Sequence, residues 1–475
     1  MISIQSREAV TKGWSEDKKY RILDENGTTY LLRVTDKSQY DHKRREFQVM
    51  QELDRMGIPI CRPIEFGENE DGVYCIHSWI EGTDLEEKLS FLSDTEQYVY
   101  GLQAGNILQT IHSLPAPKDA PDWEIRFNAK INRKIQRYLE CPLKHEKGEL
   151  LIEYLNHNRH LLRNRPQSFQ HGDYHSGNMM IDEKGQLVII DFNRSDYGDP
   201  WEEFNRIVWS AQASPMFATG MVNGYFHNQV PMEFWQLLAL YIASNSLSSL
   251  SWAVAFGEDE IQTMFKQTDD IMAWYQDMTT VIPSWYQGNV YLQEMDRISF
   301  RLKEAFDFSF LKEYGQVFCV FDDQDSGNIC FGTQKGDQKY FIKFAGAPAV
   351  RSLLSTEQAI KQLQSTLCLY QDLSHPNLIH LIDSKEVNNG FLLIFEWFDG
   401  ICPGRMYPEE HKKFMQLPIE KRVQVLDAVM EFFSTLPEKG YTRDRFLRWK
   451  PSVQRRIRSN PYLRYRSFQK KSLHQ

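Results

Sequence analysis

The chain has 475 residues, more than one hydrophobic core usually supports, so we expect two or three globular units. Its hydrophobic content of 41% excludes a disordered chain. The net charge of −9 argues against nucleic acid as a partner. No apolar run is long enough to span a membrane or to serve as a signal peptide, so we expect a cytoplasmic protein without a membrane partner.

The first 80 residues consist of short extended runs separated by turns, which predicts a lobe rich in β-strands. Tyr30–Val34 alternates in the manner of a half-buried strand, and Arg33 lies near its end. A helix is predicted over Lys43–Leu53 and carries Glu46. From Tyr98 to about Tyr286 the apolar residues recur at helical spacing, so a mainly helical region should follow.

A polar loop interrupts this helical region. The segment His171–Asn178 contains Asp173 and ends on an asparagine, and an apolar strand over Leu187–Ile190 then leads directly into Asp191. Taken singly, each of these acidic or amide residues is typical of a turn or of a strand end. Their order and spacing together indicate a functional site.

Transfer of a γ-phosphoryl group from a Mg-nucleotide requires few protein groups, because the protein mainly positions the acceptor and neutralises charge. Asp173 is the candidate catalytic base, which accepts the proton of the acceptor hydroxyl. Asn178 and Asp191 offer the hard oxygen ligands that Mg²⁺ prefers. The sequence therefore predicts a kinase of small molecules.

The phrases HGDYHSGN and IIDFNRSDYGDPWEEFNRI resemble the aminoglycoside phosphotransferase family, and the resemblance covers residues 1–286. It implies an α+β fold with the two lobes of protein kinases, a β-rich N-lobe over residues 1–80 and a helical C-lobe over residues 83–286. It also implies that Asp199 braces the catalytic region, as His171 is expected to do by hydrogen bonds. The implied donor is ATP or GTP, with Mg²⁺, and the implied acceptor is an aminoglycoside, a macrolide or another alcohol, which connects the chain with antibiotic resistance.

The resemblance also assigns roles in the N-lobe. The loop around Gly13 would cover the phosphates, and a plain hairpin loop is an equally good interpretation. Arg33 stands where the family usually has a phosphate-gripping lysine, and its planar guanidinium is not equivalent to an ammonium group. Glu46 would be its ion-pair partner or, equally, one more charge on a solvated helix face. The backbone of Ser78 and Ile80 would meet the adenine edge.

A second kinase-like pattern follows a linker predicted over residues 287–300. Residues 301–440 contain further extended runs, among them Tyr340–Phe344 with Lys343, and the phrase LSHPNLI. They resemble the nucleotide lobe of bacterial serine/threonine-kinase-like proteins. No Asp-bearing catalytic loop or metal-binding Asp follows, so we expect a second N-lobe that is incomplete.

The last residues, 441–475, carry eleven Lys and Arg against the single acid Asp444. Two interpretations are open. The run is a solvated basic tail that binds an anionic partner, or it is a frameshifted reading of the missing kinase part. The second is suggested because a shifted frame can encode acidic phrases like those of the same kinase-like proteins.

Two other functions compete with a small-molecule kinase. A protein kinase is disfavoured because no activation-segment phrase such as APE follows Asp191. A non-catalytic scaffold is kept open by Arg33, whereas Asp173 and Asn178 together with Asp191 argue against it. The sequence does not specify the oligomeric state.

Overall fold

The computed structural model describes residues 2–11, 17–387, 389–401 and 407–437. Gly13 and the basic tail over residues 441–475 lie outside the described residues. The chain divides into two compact units, the first made of residues 1–90 and 96–288, the second of residues 91–95 and those from 289 onward. Both units combine helices with antiparallel sheets, which confirms the predicted α+β class.

A five-stranded antiparallel sheet forms the N-terminal part of the first unit, with the strand order β1-β2-β3-β5-β4. Its strands are β1 (Ile4–Val10), β2 (Lys18–Asp24), β3 (Thr29–Thr35), β4 (Pro63–Asn69) and β5 (Gly72–Ser78). Between β3 and β4 the chain forms helix α1 (Tyr40–Arg55), which packs on β4 and β5. The buried Phe47, Met50 and Leu53 recur at helical spacing, so one apolar face of α1 covers the sheet.

Helices make up most of the remaining first unit, as the apolar spacing predicted. They are α2 (Leu85–Leu89), α3 (Asp94–Ile111), α4 (Trp123–Glu140), α5 (Gly148–Asn158), α6 (Ile207–Ala213), α7 (Pro215–Phe226), α8 (Met232–Ala253) and α9 (Glu258–Trp274). Helix α8 is the centre of the core, because α4, α5 and α9 all pack against it. Within the described part of the chain, no helix is both long and apolar enough to cross a membrane.

Two small sheets position the polar loop among these helices. The strands β6 (Gly82–Asp84), β8 (Met179–Asp182) and β9 (Leu187–Ile189) pair in the order β6-β8-β9, and β7 (Ser168–Gln170) pairs with β10 (Asp196–Gly198). The backbone N–H of Ile190 donates to the carbonyl of Asn178 at 3.0 Å. The pairing of β8 with β9 therefore brings the end of the polar loop next to Asp191.

The second unit repeats the strand order of the first sheet. Its strands are β11 (Tyr291–Met295), β12 (Ile298–Leu302), β13 (Gln316–Phe321), β14 (Asn328–Lys335), β15 (Gln338–Ala345), β16 (Leu381–Val387) and β17 (Gly390–Glu396). Its helices are α10 (Thr356–Asp372), α11 (Pro408–Gln416) and α12 (Ile419–Thr435). The sheet order β13-β14-β15-β17-β16, with α10 following the third strand, matches β1-β2-β3-β5-β4 with α1.

The segment over residues 287–300, which was predicted as a linker, contains β11 and the beginning of β12. β11 and β12 pair as an antiparallel hairpin, from Tyr291 opposite Leu302 to Met295 opposite Ile298. Asp296 and Arg297 form its two-residue turn with φ values of 48° and 69°. Both residues adopt the left-handed conformation that such hairpin turns require. The turn lacks the Asn-Gly or Asp-Gly pair that usually marks it in a sequence.

Candidate active site

Asp173 lies in the loop after β7, and two arginines flank its carboxylate. Arg206 Nε lies 3.1 Å from Oδ1, and Arg194 Nη1 lies 3.7 Å from Oδ2. Burial raises the pKa of Asp173, but the charges of Arg206, His175 and Arg194 outweigh burial and hold the pKa below its ordinary value. The carboxylate is therefore ionised at neutral pH and can accept a hydrogen bond from a hydroxyl group.

A buried glutamate holds the loop around Asp173 in place. The Glu203 side chain accepts hydrogen bonds from the backbone N–H of Gly172, at 2.9 and 3.1 Å, and of Tyr174, at 3.4 Å. Gly172 has φ +85°, and a Cβ atom there would clash with the backbone oxygen of Arg194. The loop conformation therefore needs glycine at this position.

His171 connects this loop to the strand that precedes Asp191. It is fully buried, and its Nε2 lies 2.9 Å from the carbonyl oxygen of Ile190. Its Nδ1 accepts a hydrogen bond from the backbone N–H of Asp173 at 3.3 Å. Both ring nitrogens are thus engaged with backbone groups.

Asn178 and Asp191 present oxygen atoms beside the same loop. The Asn178 side-chain N–H donates to the carbonyl of Asp173 at 2.8 Å, and this bond orients the amide. Asp191 is partly exposed and has φ 67°, a left-handed conformation that is uncommon outside glycine. An amide and a carboxylate oxygen suit Mg²⁺, which takes few protein ligands. Among the described residues no group of three His, Cys, Asp or Glu could hold a metal, so phosphates and water would supply the other ligands.

Arg33 joins the N-terminal sheet to Asp191. Its Nη1 donates to Asp191 Oδ1 at 3.2 Å, and its Nε and Nη2 lie 2.9 and 2.8 Å from Asp17 Oδ2. Lys19 lies opposite Arg33 in the pairing of β2 with β3. Burial lowers the pKa of Lys19, and Asp191 partly offsets that effect. The end of the sheet thus gathers positive charge beside Asp191.

Glu46 pairs with a different cation from the one predicted. Lys43 Nζ lies 3.0 Å from Glu46 Oε2 and 3.0 Å from Asp17 Oδ2, and both partners are almost fully buried. The charge of Glu46 also helps to raise the pKa of Arg33, but the hydrogen-bonded partner of Glu46 is Lys43. Lys43 and Glu46 are three residues apart on α1, so they face each other on the same side of the helix.

One of the two backbone positions assigned to the nucleotide base is already engaged. The N–H of Ser78 donates to the carbonyl of Arg62 at 2.8 Å, and the Ser78 hydroxyl accepts from the N–H of Arg62 at 2.8 Å. Ile80 lies two residues beyond the end of β5, in the irregular connection to β6, and is half-buried. Ile80 therefore remains the better candidate for a backbone contact with the base.

Asp199 is a fully buried anchor beneath the loop. Its carboxylate forms a two-point contact with Arg165, at 2.7 Å for Nε and 3.2 Å for Nη2. The Tyr241 hydroxyl donates to it at 2.6 Å, and the N–H of Trp201 donates at 2.9 Å. Asp199 thus links the end of β10 to the central helix α8.

Sequence reasoning missed the two arginines that lie beside Asp173. Arg206 and Arg194 contact Asp173, and Glu203 binds the backbone of Gly172. No spacing rule connects Arg206 or Glu203 with a loop thirty residues earlier. Lys43 was also missed, although its three-residue separation from Glu46 is a local signal that could have found it.

Comparison with known proteins matches part of the chain to a family. Residues 6–236, which include Asp173, Asn178, Asp191 and Asp199, match the profile of the phosphotransferase enzyme family. No curated protein matches the chain in sequence.

Several solved structures are similar to the chain. A thermostable mutant of aminoglycoside phosphotransferase APH(4)-Ia, in ternary complex with AMP-PNP and hygromycin B, is 19% identical with a TM-score of 0.45, over 58% of this chain and 95% of that chain. Amicoumacin kinase hAmiN, in complex with AMP-PNP, Ca²⁺ and Ami, is 14% identical with a TM-score of 0.43, over 60% and 93%. ADP-bound APH(2'')-Ib is 16% identical with a TM-score of 0.42, over 56% and 94%.

Proposed function

We propose that the first unit, a small-molecule phosphotransferase whose residues 6–236 match the phosphotransferase enzyme family, moves the γ-phosphoryl group of Mg-ATP to a hydroxyl group of its acceptor. The observation that carries the proposal is the placement of Asp173, Asn178 and Asp191 around one loop and one hairpin. ATP is the default donor, and GTP is the alternative to be tested.

Asp173 acts as the base in the proposed reaction. The acceptor oxygen forms a bond to the γ-phosphorus while the bond from that phosphorus to the β–γ bridging oxygen breaks, and ADP leaves. The hydroxyl proton passes to Asp173, which the neighbouring Arg206 keeps ionised before transfer. Bound Mg²⁺, held by Asn178 and Asp191, would neutralise charge on the phosphates.

The cations at the end of the sheet are the proposed phosphate ligands. Arg33 and Lys43 share Asp17 as a common anionic partner, so a phosphate group that binds them has to displace that carboxylate. Glu46 then serves to orient Lys43 rather than Arg33. The loop around Gly13 covers the phosphates, and the backbone at Ile80 contacts the base.

The first test is ADP release by the full chain with Mg-ATP and a panel of hydroxyl acceptors. The acceptor classes suggested by the family resemblance are represented by kanamycin and erythromycin, with choline and glycerol as simpler alcohols. Acceptor-dependent ADP release supports the proposal and identifies the acceptor class. Failure to bind Mg-ATP at all contradicts it and favours a scaffold role.

We expect Asp191→Asn to weaken Mg²⁺ binding, so that the reaction needs a higher Mg²⁺ concentration. The amide keeps the shape but loses the charge that binds the metal, so turnover should fall about 100-fold or more. The measurement is ADP release across a Mg²⁺ titration. Asp71→Asn is the control, because Asp71 is an exposed carboxylate on the β4–β5 turn, and this variant should behave like the wild type. Equal Mg²⁺ dependence in both variants would remove Asp191 from the metal site.

We also propose that the second unit is an incomplete kinase-like N-lobe. The support is its strand order and the position of Lys343, which lies on the third strand as Arg33 does in the first sheet. Lys343 pairs with Leu393 of β17. Leu393 belongs to the hydrophobic cluster that includes Ala359 and Leu363 of α10. DNA sequencing across codons 435–475 tests the frameshift hypothesis, since absence of acidic catalytic phrases in the shifted frame rejects it.

A further inference from the structure

One face of helix α4 is strongly basic. Arg126, Lys130, Arg133, Lys134 and Arg137 recur at spacings of three and four residues, so they share one side of the helix. The adjoining flank carries the buried Trp123, Phe127, Ile131 and Tyr138. The basic face of α4 therefore lies next to the face that packs into the hydrophobic core.

This basic face adjoins the catalytic loop. Arg126 donates to the carbonyl of Tyr197 and pairs with Asp196, both in β10, and Lys130 Nζ lies 3.0 Å from Glu202 Oε1. Arg206, four residues beyond Glu202, contacts Asp173 at 3.1 Å. The cations thus extend from the proposed base to α4.

Lys134 differs from Arg133 and Arg137 of the same face because it is half-buried and they are exposed. Within the described ranges it makes no side-chain hydrogen bond or ion pair. Burial, with the nearby charges of Lys130 and Arg206, lowers the pKa of Lys134 to about 7, although the carboxylate of Glu202 acts in the opposite direction. A half-buried ammonium group held near other cations is costly unless an anion binds it.

We infer that the acceptor carries an anionic group, a carboxylate or a phosphate, which binds Lys134 and Arg206 while the acceptor hydroxyl lies at Asp173. The inference deepens the proposed function and rests on it. It also disfavours polycationic acceptors, because the carboxylates on this flank are already paired: Asp196 with Arg126, and Glu202 with Lys130. An aminoglycoside would meet excess positive charge here.

The test compares acceptors that share one carbon frame. ADP release by the full chain is measured with glycerol, glycerate and glycerol 3-phosphate at constant ionic strength, and with choline and kanamycin as cationic acceptors. We expect kcat/KM for glycerate or glycerol 3-phosphate to be about tenfold higher than for glycerol, because one favourable ionic contact has about that effect. Phosphorylation of kanamycin or choline in preference to the anions would support the proposed function and overturn this inference.

The variants separate the anion contact from general charge. Lys134→Met should raise KM for the better anionic acceptor about tenfold while kcat and the KM for Mg-ATP stay within about threefold, and Lys134→Arg should restore most of the loss. Arg137→Met removes the same charge from the same face at an exposed position and should leave KM unchanged. Equal KM values in Lys134→Met and the wild type would contradict the inference.

A labelling experiment decides the question even if no panel member is turned over. Acetic anhydride at neutral pH, with AMP-PNP present, should modify Lys134 readily, since part of its amine is unprotonated. Mass spectrometry then measures protection by each compound. Protection by glycerate identifies a carboxylate site and protection by glycerol 3-phosphate a phosphate site, whereas glycerol and choline should not protect. If neither anion protects Lys134, the inference fails; loss of AMP-PNP binding instead counts against the proposed function.

Discussion

Asp173→Ala is expected to abolish measurable turnover, with kcat lowered about 1000-fold or more. The carboxylate is the proposed acceptor of the hydroxyl proton, and its pKa is held below the ordinary value by Arg206, His175 and Arg194 despite burial. A base that is ionised throughout the neutral range should give no acidic limb of its own in the kcat profile above about pH 5. The measurement is ADP release with saturating Mg-ATP and the acceptor found in the panel.

Binding and folding measurements separate a chemical effect from a structural one. Asp173 is not one of the proposed Mg²⁺ ligands, so the Kd for Mg-ATP should change by less than about threefold in Asp173→Ala. Asp173→Asn, which keeps the side-chain volume beside Arg206 and Arg194 but cannot take the proton, should be equally inactive. Wild-type activity in either variant would reject Asp173 as the base.

Asp199→Ala is expected to lower the free energy of unfolding of the first unit by about 3–5 kcal/mol. The change leaves the buried guanidinium of Arg165 with only the exposed Glu233 as a counter-ion, and it removes the acceptor for the Tyr241 hydroxyl and the Trp201 N–H. Unpaired buried charge is among the costliest defects in a core. Urea unfolding followed by circular dichroism measures the loss.

Glu233 supplies the matched control for this prediction. It also lies near Arg165, with Nη1 to Oε1 at 3.4 Å, but its side chain is 56% exposed. Glu233→Ala should therefore cost no more than about 1 kcal/mol, because water screens the pair. Similar losses in the two variants would show that the burial of Asp199 does not determine its contribution.

The order of elements in the first unit follows from local patterns. Period-two alternation predicts the strands around Tyr30–Val34, and helical spacing of apolar residues predicts the helices after Tyr98. The hairpin over β11 and β12 was missed because Asp296 and Arg297 adopt left-handed conformations without glycine. Turn conformation of this kind depends on the pairing of the flanking strands, which a local sequence pattern does not report.

The sequence by itself determined which residues are the proposed catalytic base and metal ligands, because Asp173, Asn178 and Asp191 lie within one loop and at the end of one adjoining strand. Only the tertiary structure decided which charges surround them. Arg206 reaches Asp173 from a later segment, and Arg33 contacts Asp191 across 158 positions of the chain. The physical reason is that an ionic contact depends on distance in space, and strand pairing and helix packing bring together residues whose separation along the chain carries no signal.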